Sequence, residues 1–451
     1  MARPSDRKLA VLRDLGNGLI LRRATIDDTD ALIAFNCDIH CGSDPPDVRQ
    51  SMAQWIRELM SGNHPTVRAS DFTIVEDTNT GAIASSLCLI SQTWSYDGIR
   101  FAAGQVELVG TMPDSRRRGL VRAQFEVIHE WSARRRHMVQ AILGIPNFYR
   151  QFGYEMGLEA HGGRMGDRRD VPDLPKGARE PYRVRRATQA DIPFIAQMYR
   201  GGTNRYLVTC ARTNALWCYE LTRRNQGAMG RRRICVIHSA KDGRVGILAH
   251  PSCLWDGLWD GGLGAFVYEL KPGVSWLAVT PSVMRYLLAK GEEYAARDKK
   301  RLGSVGFALG SEHPAYQVVP SRLPRTREPY AFYIRVPDLP GFVRRIAPVL
   351  ERRLAESVAV GYTSELRLDF YRDGLRMAFH RGRLTQVERW QPGENRSAAL
   401  PDLTFLQLLF GHRSLDELHL AYRDLFASGD EARLLLNVLF PKKPSAVWTL
   451  S

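Results

Sequence analysis

"ELVGTMPDSRRRGLVRA", residues Glu107 to Ala123, decides how this chain is read. Gln105 to Gly110 alternates polar and apolar residues as a strand does, a proline ends the run, and three arginines follow. Gly119 then opens a helix whose Leu120, Val127, Ile128 and Trp131 share one side. A strand, a Gly/Arg turn and a helix in that order present successive backbone N–H groups at a helix N-terminus. The helix dipole and the unpaired donors there favour a phosphate. Arginine adds bidentate contacts to the same anion, and Gly119 lets it approach the backbone closely. The turn reads as a pyrophosphate cradle.

At 451 residues the chain exceeds a single core and is expected to hold two or three domains. A hydrophobic content of 44% with 25% charged residues describes a folded globular chain and excludes a disordered one. No apolar run reaches the roughly 20 residues of a membrane span, and "MARPSDRKLAVLRDLGNG" lacks a signal sequence's apolar stretch. A cytoplasmic protein is expected. The seven cysteines are scattered without a CxxC pair, so neither a disulfide framework nor a zinc site is expected. Cys37, His40 and Cys41 stand together, but no second Cys/His pair lies nearby.

The net charge of +15 raises the question of nucleic acid. Only nine of the 63 basic residues are lysine, and the arginines run along the whole chain instead of forming one face. No basic segment carries interleaved aromatics, and no helix-turn-helix or zinc-finger spacing occurs. Nucleic acid is not the expected partner.

An internal echo divides the chain. "LRRATIDDTDALIAF" (21–35) returns 163 residues later as "VRRATQADIPFIAQMY" (184–199). Thr25 with Asp28, and Thr188 with Asp191, form the same helix-start signature. Two similar domains in tandem follow, joined by the Pro/Gly-rich "GDRRDVPDLPKGAREP" (166–181), and a second "VPDLP" at Val336–Pro340 closes the second copy. The expected domains are residues 1–175, 176–340 and 341–451. In the last, "ELRLDFYRDGLRMAFHRGRLTQVERW" reads as a small antiparallel sheet with turns at RDG and HRGR. Three helical runs follow, one opened by a Ser414/Glu417 capping box and one stopping before Pro441.

The arginine turn and the later "HMVQAILGIPNFYRQFGYE", a buried strand followed by "FYRQFGY", together resemble the GNAT acyltransferase superfamily. Arg116–Val121 matches that family's R-x-x-G-x-G/A loop except that Val121 stands where the pattern has Gly or Ala. Two such units with a small α/β tail, plus "FLQLLFGHRSLDEL" and "LLLNVLFP", resemble the Eis (enhanced intracellular survival) group, whose tail resembles sterol carrier protein. The implied fold class is α/β (α+β): two tandem GNAT-type mixed-sheet domains followed by a small sterol-carrier-like α/β domain.

The resemblance implies acetyl-CoA as cofactor. It lies with its pantetheine arm along Leu108, Val109 and Gly110 on one strand and Gly144 and Ile145 on the other. Its pyrophosphate lies on Arg116, Arg117, Arg118, Gly119, Leu120 and Val121. Tyr149 takes the place of the family's general acid, with Tyr154 as second candidate. The base is implied to be the terminal carboxylate of Ser451, delivered by an apolar "AVW" anchor, or else Glu107. The implied reaction is direct attack of a primary amine on the thioester. The implied acceptor is a cationic small molecule such as an aminoglycoside or polyamine, and the implied assembly is a homo-hexamer. Asp38, Asp44 and Asp47 are candidates for an acidic acceptor cleft, or else solvated turn residues. No Cys nucleophile with a partnered His is evident, in keeping with direct attack. The second copy lacks an arginine-glycine cradle, and "HPAY" (313–316) is at best a relic of the tyrosine element, so that copy is expected to bind no cofactor. A protein- or RNA-associated acetyltransferase and a non-catalytic CoA or lipid carrier are the alternatives.

Overall fold

A computed structural model describes residues 11–225, 227–255, 261–393 and 395–448. The first half builds a mixed sheet from β1 (Val11–Gly16), β2 (Leu19–Arg23), β3 (Phe72–Asp77), β4 (Ala82–Tyr96), β5 (Ile99–Thr111), β6 (Val139–Ile142) and β7 (Glu155–Ala160). Helices α1 (Thr29–His40) and α2 (Pro46–Met60) follow β2, and α3 (Leu120–Arg134) links β5 to β6. Leu120, Phe125, Ile128 and Trp131 of α3 pack on Leu87, Leu89 and Val106, one face of the sheet. On the other face, Phe35, Trp55 and Ile56 cover Ile74, Cys88 and Ile90.

The echo in sequence is repeated in three dimensions. Thr25 and Thr188 cap short helical turns, their backbone N–H groups donating to Asp28 at 2.7 Å and Asp191 at 2.9 Å. Arg22 and Arg185 make paired bonds to those same carboxylates. Local chemistry dictates this start twice.

Residues from the start of the echo's second copy to the tail contribute β9 (Tyr182–Arg186), β10 (Val208–Cys210), β11 (Arg232–Ser239), β12 (Gly243–Pro251), β13 (Leu263–Ala265), β14 (Val267–Leu270), β15 (Val305–Phe307), β16 (Arg325–Arg327) and β17 (Tyr330–Arg335). A helix at Trp276–Asp298 joins β14 to β15, as α3 joins β5 to β6. The halves exchange strands. β17 lies between β6 and β7 in the first sheet, and β8 (Gly163–Gly166) lies between β15 and β16. Each exchanged strand pairs antiparallel on both sides, so neither sheet leaves that edge exposed.

The tail sheet has the order β20 (Arg383–Trp390), β19 (Gly374–His380), β18 (Ser364–Asp369), β21 (Ala398–Ala399), β22 (Phe426–Ala427). Its first three strands are the expected antiparallel meander, while β21 pairs parallel to β18. The capping box at Ser414 and Glu417 is present, and the last helix runs Gly429–Leu439. No separate tail core exists among the described residues. Phe342, Leu406, Phe410 and Leu436 share one apolar cluster with Phe101, Ala141 and Phe332 of the first sheet and with Phe194 and Trp217. Among the described residues no helix is long and apolar enough to cross a membrane.

Candidate active site

β5 and β6 run parallel and pair only at Ala103–Val139, Gly104–Gln140 and Gln105–Ala141. Beyond that point the pairing stops, which leaves a gap in the ladder between Glu107 to Gly110 after β5's paired stretch and Leu143 to Ile145 after β6. Two features shape the first side. A bulge interrupts the β4–β5 register between Cys88–Glu107 and Ser86–Gly110, and Leu108 there adopts a left-handed φ of 55°. The extra residue shifts the side-chain phase. Val106 points to the α3 face, Leu108 joins the α1/α2 side, and Val109 returns to the α3 face. Gly110 lies under α1, where a Cβ would stand 3.0 Å from Ile39 and 3.2 Å from Phe35.

The arginine turn sits at the mouth of the gap. Arg117 and Gly119 are both left-handed, at φ 62° and 74°. The Gly119 carbonyl accepts the Ala123 N–H, the first bond of α3. The N–H groups of residues 119–122 therefore have no acceptor within the helix. Arg116, Arg117, Arg118 and Gly119 are exposed, Leu120 is buried and Val121 half-buried, so Val121 contributes its backbone and leaves Leu120 to anchor the helix. Open space surrounds Gly119 on the side where a Cβ would project. This is a row of open backbone donors preceded by three exposed arginines, a chemistry that suits a diphosphate.

The helix that follows the turn is tied to β3, β4 and β5 by buried polar groups. Ser85 Oγ lies 2.7 Å from the Gly110 carbonyl and 2.7 Å from Gln124 Oε1 of α3. Gln124 Nε2 donates to Thr73 Oγ1 at 2.9 Å.

Across the gap, Tyr149 is buried with its ring against Gly144. Its ring also neighbours Phe125, Phe148 and Tyr333. No described residue makes a hydrogen bond to its hydroxyl. Burial pushes this phenol above its ordinary range, with the Glu107 charge adding to the effect. Glu107 projects from the opposite face of β5, beside Gln105, which donates to it. Burial raises the Glu107 carboxyl to about 7, with the Gln105 bond opposing the rise. The gap thus has a proton-holding phenol on one side and a carboxyl poised near neutrality on the other. Tyr154, the second candidate acid, is fully buried, and its hydroxyl is engaged by His129 and Gln140.

Sequence reasoning missed two residues here. Tyr330 and Tyr333 belong to the exchanged β17. Tyr330 donates to the Gly144 carbonyl at 2.8 Å, and Tyr333 Oη accepts the Asn147 N–H at 2.6 Å. They lie more than 180 residues downstream of the loop they touch, and no local pattern announces them.

Asp38 and Asp47 fall inside α1 and α2 and not in one open loop. Asp38 pairs with Arg49 and Asp47 with Lys300, leaving Asp44 in the exposed turn between the helices. Ser451 lies outside the described residues. The chain preceding it is anchored: Ala446 bridges to Thr209, and Trp448 is buried between the guanidinium groups of Arg212 and Arg232. No group of three or more His, Cys, Asp or Glu residues suited to a metal occurs among the described residues.

The corresponding gap of the second half is differently furnished. The Tyr316 hydroxyl donates to the Phe307 carbonyl and accepts the Leu309 N–H, both at 3.1 Å. The helix start there is capped by Ser275 Oγ, which accepts the Ala278 N–H. Where the first half leaves backbone donors open, the second spends one on its own side chain.

Residues 21–157 match the family model described as an acetyltransferase (GNAT) domain. No curated protein matches this sequence. Among solved structures, the chain is similar to a GCN5-related N-acetyltransferase from Anabaena variabilis, with a TM-score of 0.63 and 14% identity over 95% of this chain and 99% of that one. One from Kribbella flavida gives 0.61 and 16% identity over 95% and 97%, and Eis1 from Mycobacterium abscessus 0.56 and 14% over 97% and 99%. Residues 21–157 therefore carry an acetyltransferase (GNAT) domain, and the solved structures share the fold of nearly the whole chain. The cofactor of that class is acetyl-CoA.

Proposed function

We propose that the chain is an acetyl-CoA-dependent N-acetyltransferase acting on a primary amine. The observation that carries this reading is the interrupted pairing of β5 and β6, with an open donor row at one end and Tyr149 and Glu107 flanking the gap. Arg116 to Val121 would hold the diphosphate. The backbone at Leu108 to Gly110 and at Gly144 and Ile145 would hold the pantetheine amides. When bound, acetyl-CoA supplies an acyl thioester whose sulfur departs as a thiolate.

Tyr149 keeps its proton through the working pH range because burial disfavours the phenolate, and it delivers that proton to the leaving sulfur. Glu107, near neutrality, accepts the proton the amine must lose. The terminal carboxylate of Ser451 is the second reading for this base, favoured by the burial of Trp448 between two arginines shortly before the chain ends. Holding both reactants in one gap supplies much of the rate, and no covalent enzyme intermediate is needed.

The acceptor is a cationic small molecule such as an aminoglycoside or polyamine, the class implied by the Eis-like motifs and in keeping with the fold likeness to Eis1. Residues 1–175 form the catalytic unit, 176–340 a degenerate unit of the same type, and 341–451 a sterol-carrier-like domain. The repeated Arg–Thr–Asp start and the repeated strand–helix–strand order support the pairing of the first two. A cytoplasmic homo-hexamer completes the reading.

The test is thiol release from acetyl-CoA against an amine panel, with the intact chain, Tyr149→Phe, Glu107→Gln and a chain lacking its last three residues. Loss of turnover with cofactor binding retained in Tyr149→Phe supports the acid. The base is whichever carboxylate's removal abolishes turnover. Absence of turnover with every amine, alongside retained acetyl-CoA binding, would favour the carrier alternative.

A further inference from the structure

We propose that Tyr333 is a positioning residue for Tyr149, brought to the first half's site by the exchanged strand. The inference rests on Tyr149 being the proton donor. The loop Gly144–Tyr149 turns through Asn147, a non-glycine residue held left-handed at φ 65°. Asparagine tolerates this conformation better than other side-chain-bearing residues, so the turn is local, and its placement is set by the contacts around it. Those contacts come from β17. Tyr333 Oη accepts the Asn147 N–H at 2.6 Å, and Tyr330 Oη donates to the Gly144 carbonyl at 2.8 Å. Two hydroxyls three residues apart on one strand therefore tie the start and the turn of the loop that carries the acid.

The Tyr333 ring, fully buried, also lies 5.6 Å from the Tyr149 ring, centroid to centroid. Tyr149 has no hydrogen bond of its own to a described residue, so its hydroxyl is aimed by this loop and by ring packing. Because β17 is bonded to β6 on one side and β7 on the other, Tyr333 is rigidly placed. The second half thus sets the geometry of a group in the first.

The experiment is a double-mutant cycle with Tyr333→Phe and Tyr149→Phe in the full chain. It reads kcat at saturating substrates, acetyl-CoA affinity by calorimetry, and Tm. Tyr333→Phe keeps the ring and removes only the acceptor. It is expected to lower kcat about tenfold, a small misplacement of a reacting group, while affinity for acetyl-CoA stays unchanged. The double variant should be no slower than Tyr149→Phe alone, because the tie acts only through that phenol. The partly exposed Tyr330→Phe serves as a second variant that spares the core, with a smaller loss and the same non-additivity. Losses that multiply in the double variants, or full turnover in both single tyrosine-tie variants, overturn the positioning role. Full turnover in Tyr149→Phe itself overturns the acid assignment and the positioning role with it.

Discussion

The Tyr149 ring rests so closely on Gly144 that a Cβ at Gly144 would stand 2.0 Å from Tyr149 Cε2. Gly144 thus has no room for a side chain, although its own φ is not in the left-handed region. Gly144→Ala is expected to displace the phenol and lower kcat by about the 10²–10⁴-fold of a lost general acid. Acetyl-CoA binding should persist. Steady-state kinetics beside calorimetry check this, and a kcat within twofold of the parent would refute the contact's importance.

Glu107 should write its own titration into the rate. With its carboxyl raised to about 7, turnover limited by an ionised base rises with pH up to about 7 and levels off above. Glu107→Gln should be slow and lack that limb. Stability runs the other way: a carboxyl raised in the folded state costs stability as pH climbs from its unfolded value towards 7. Glu107→Gln is therefore expected to melt higher than the parent at pH 8 and alike at pH 4. An unchanged pH–rate limb in the variant would assign it to another group.

Gly119 adopts a left-handed φ in open space, so Gly119→Ala strains the backbone without a clash. It should cost about 1 kcal/mol of stability. It should also raise the KM for acetyl-CoA and leave acceptor KM alone. Replacing Arg116, Arg117 and Arg118 together by alanine is expected to weaken acetyl-CoA binding by tenfold or more, since charge-assisted phosphate contacts are the strong kind. Equal affinity in the parent and the triple variant would move the diphosphate elsewhere.

Gln124 bridges Ser85 and Thr73 from within α3 and is fully buried. Gln124→Leu removes one bond from each partner, while Ser85 keeps Gly110 and Thr111 and Thr73 keeps Leu87, and is expected to lower stability by about 1 kcal/mol per bond lost. Ser85→Ala together with Gln124→Leu should cost less than the two single effects combined. Denaturant unfolding of the four proteins measures it.

The repeated start offers a pH test of folding. Hydrogen bonds from Arg185 hold the Asp191 carboxyl well below its usual range, despite an opposing desolvation cost. A depressed carboxylate stabilises above its unfolded pKa and loses that contribution as pH falls. Asp191→Asn should therefore lower Tm at pH 7, with the gap from the parent narrowing as the solution is acidified below about 4. A gap independent of pH would refute the ion-pair account.

Much of the site was legible in the sequence because it is local. The Pro–Asp–Ser–Arg–Arg–Arg–Gly turn, the helix stripe from Leu120 to Trp131 and the Thr–Asp capping pairs at 25/28 and 188/191 are set by neighbours three or four residues apart. Backbone sterics and helix-end hydrogen bonding act at that range, so residue order alone dictates them. Tertiary structure decided the rest. Which tyrosine faces the gap, 149 or 154, depends on ring packing across α3. The proton affinity of Glu107 depends on how much protein covers it. The loop under the acid is tied by Tyr330 and Tyr333, which arrive only because β17 crosses between the halves. Strand exchange satisfies backbone donors and acceptors between segments far apart in the chain. Nothing in the period or composition of either segment records its partner.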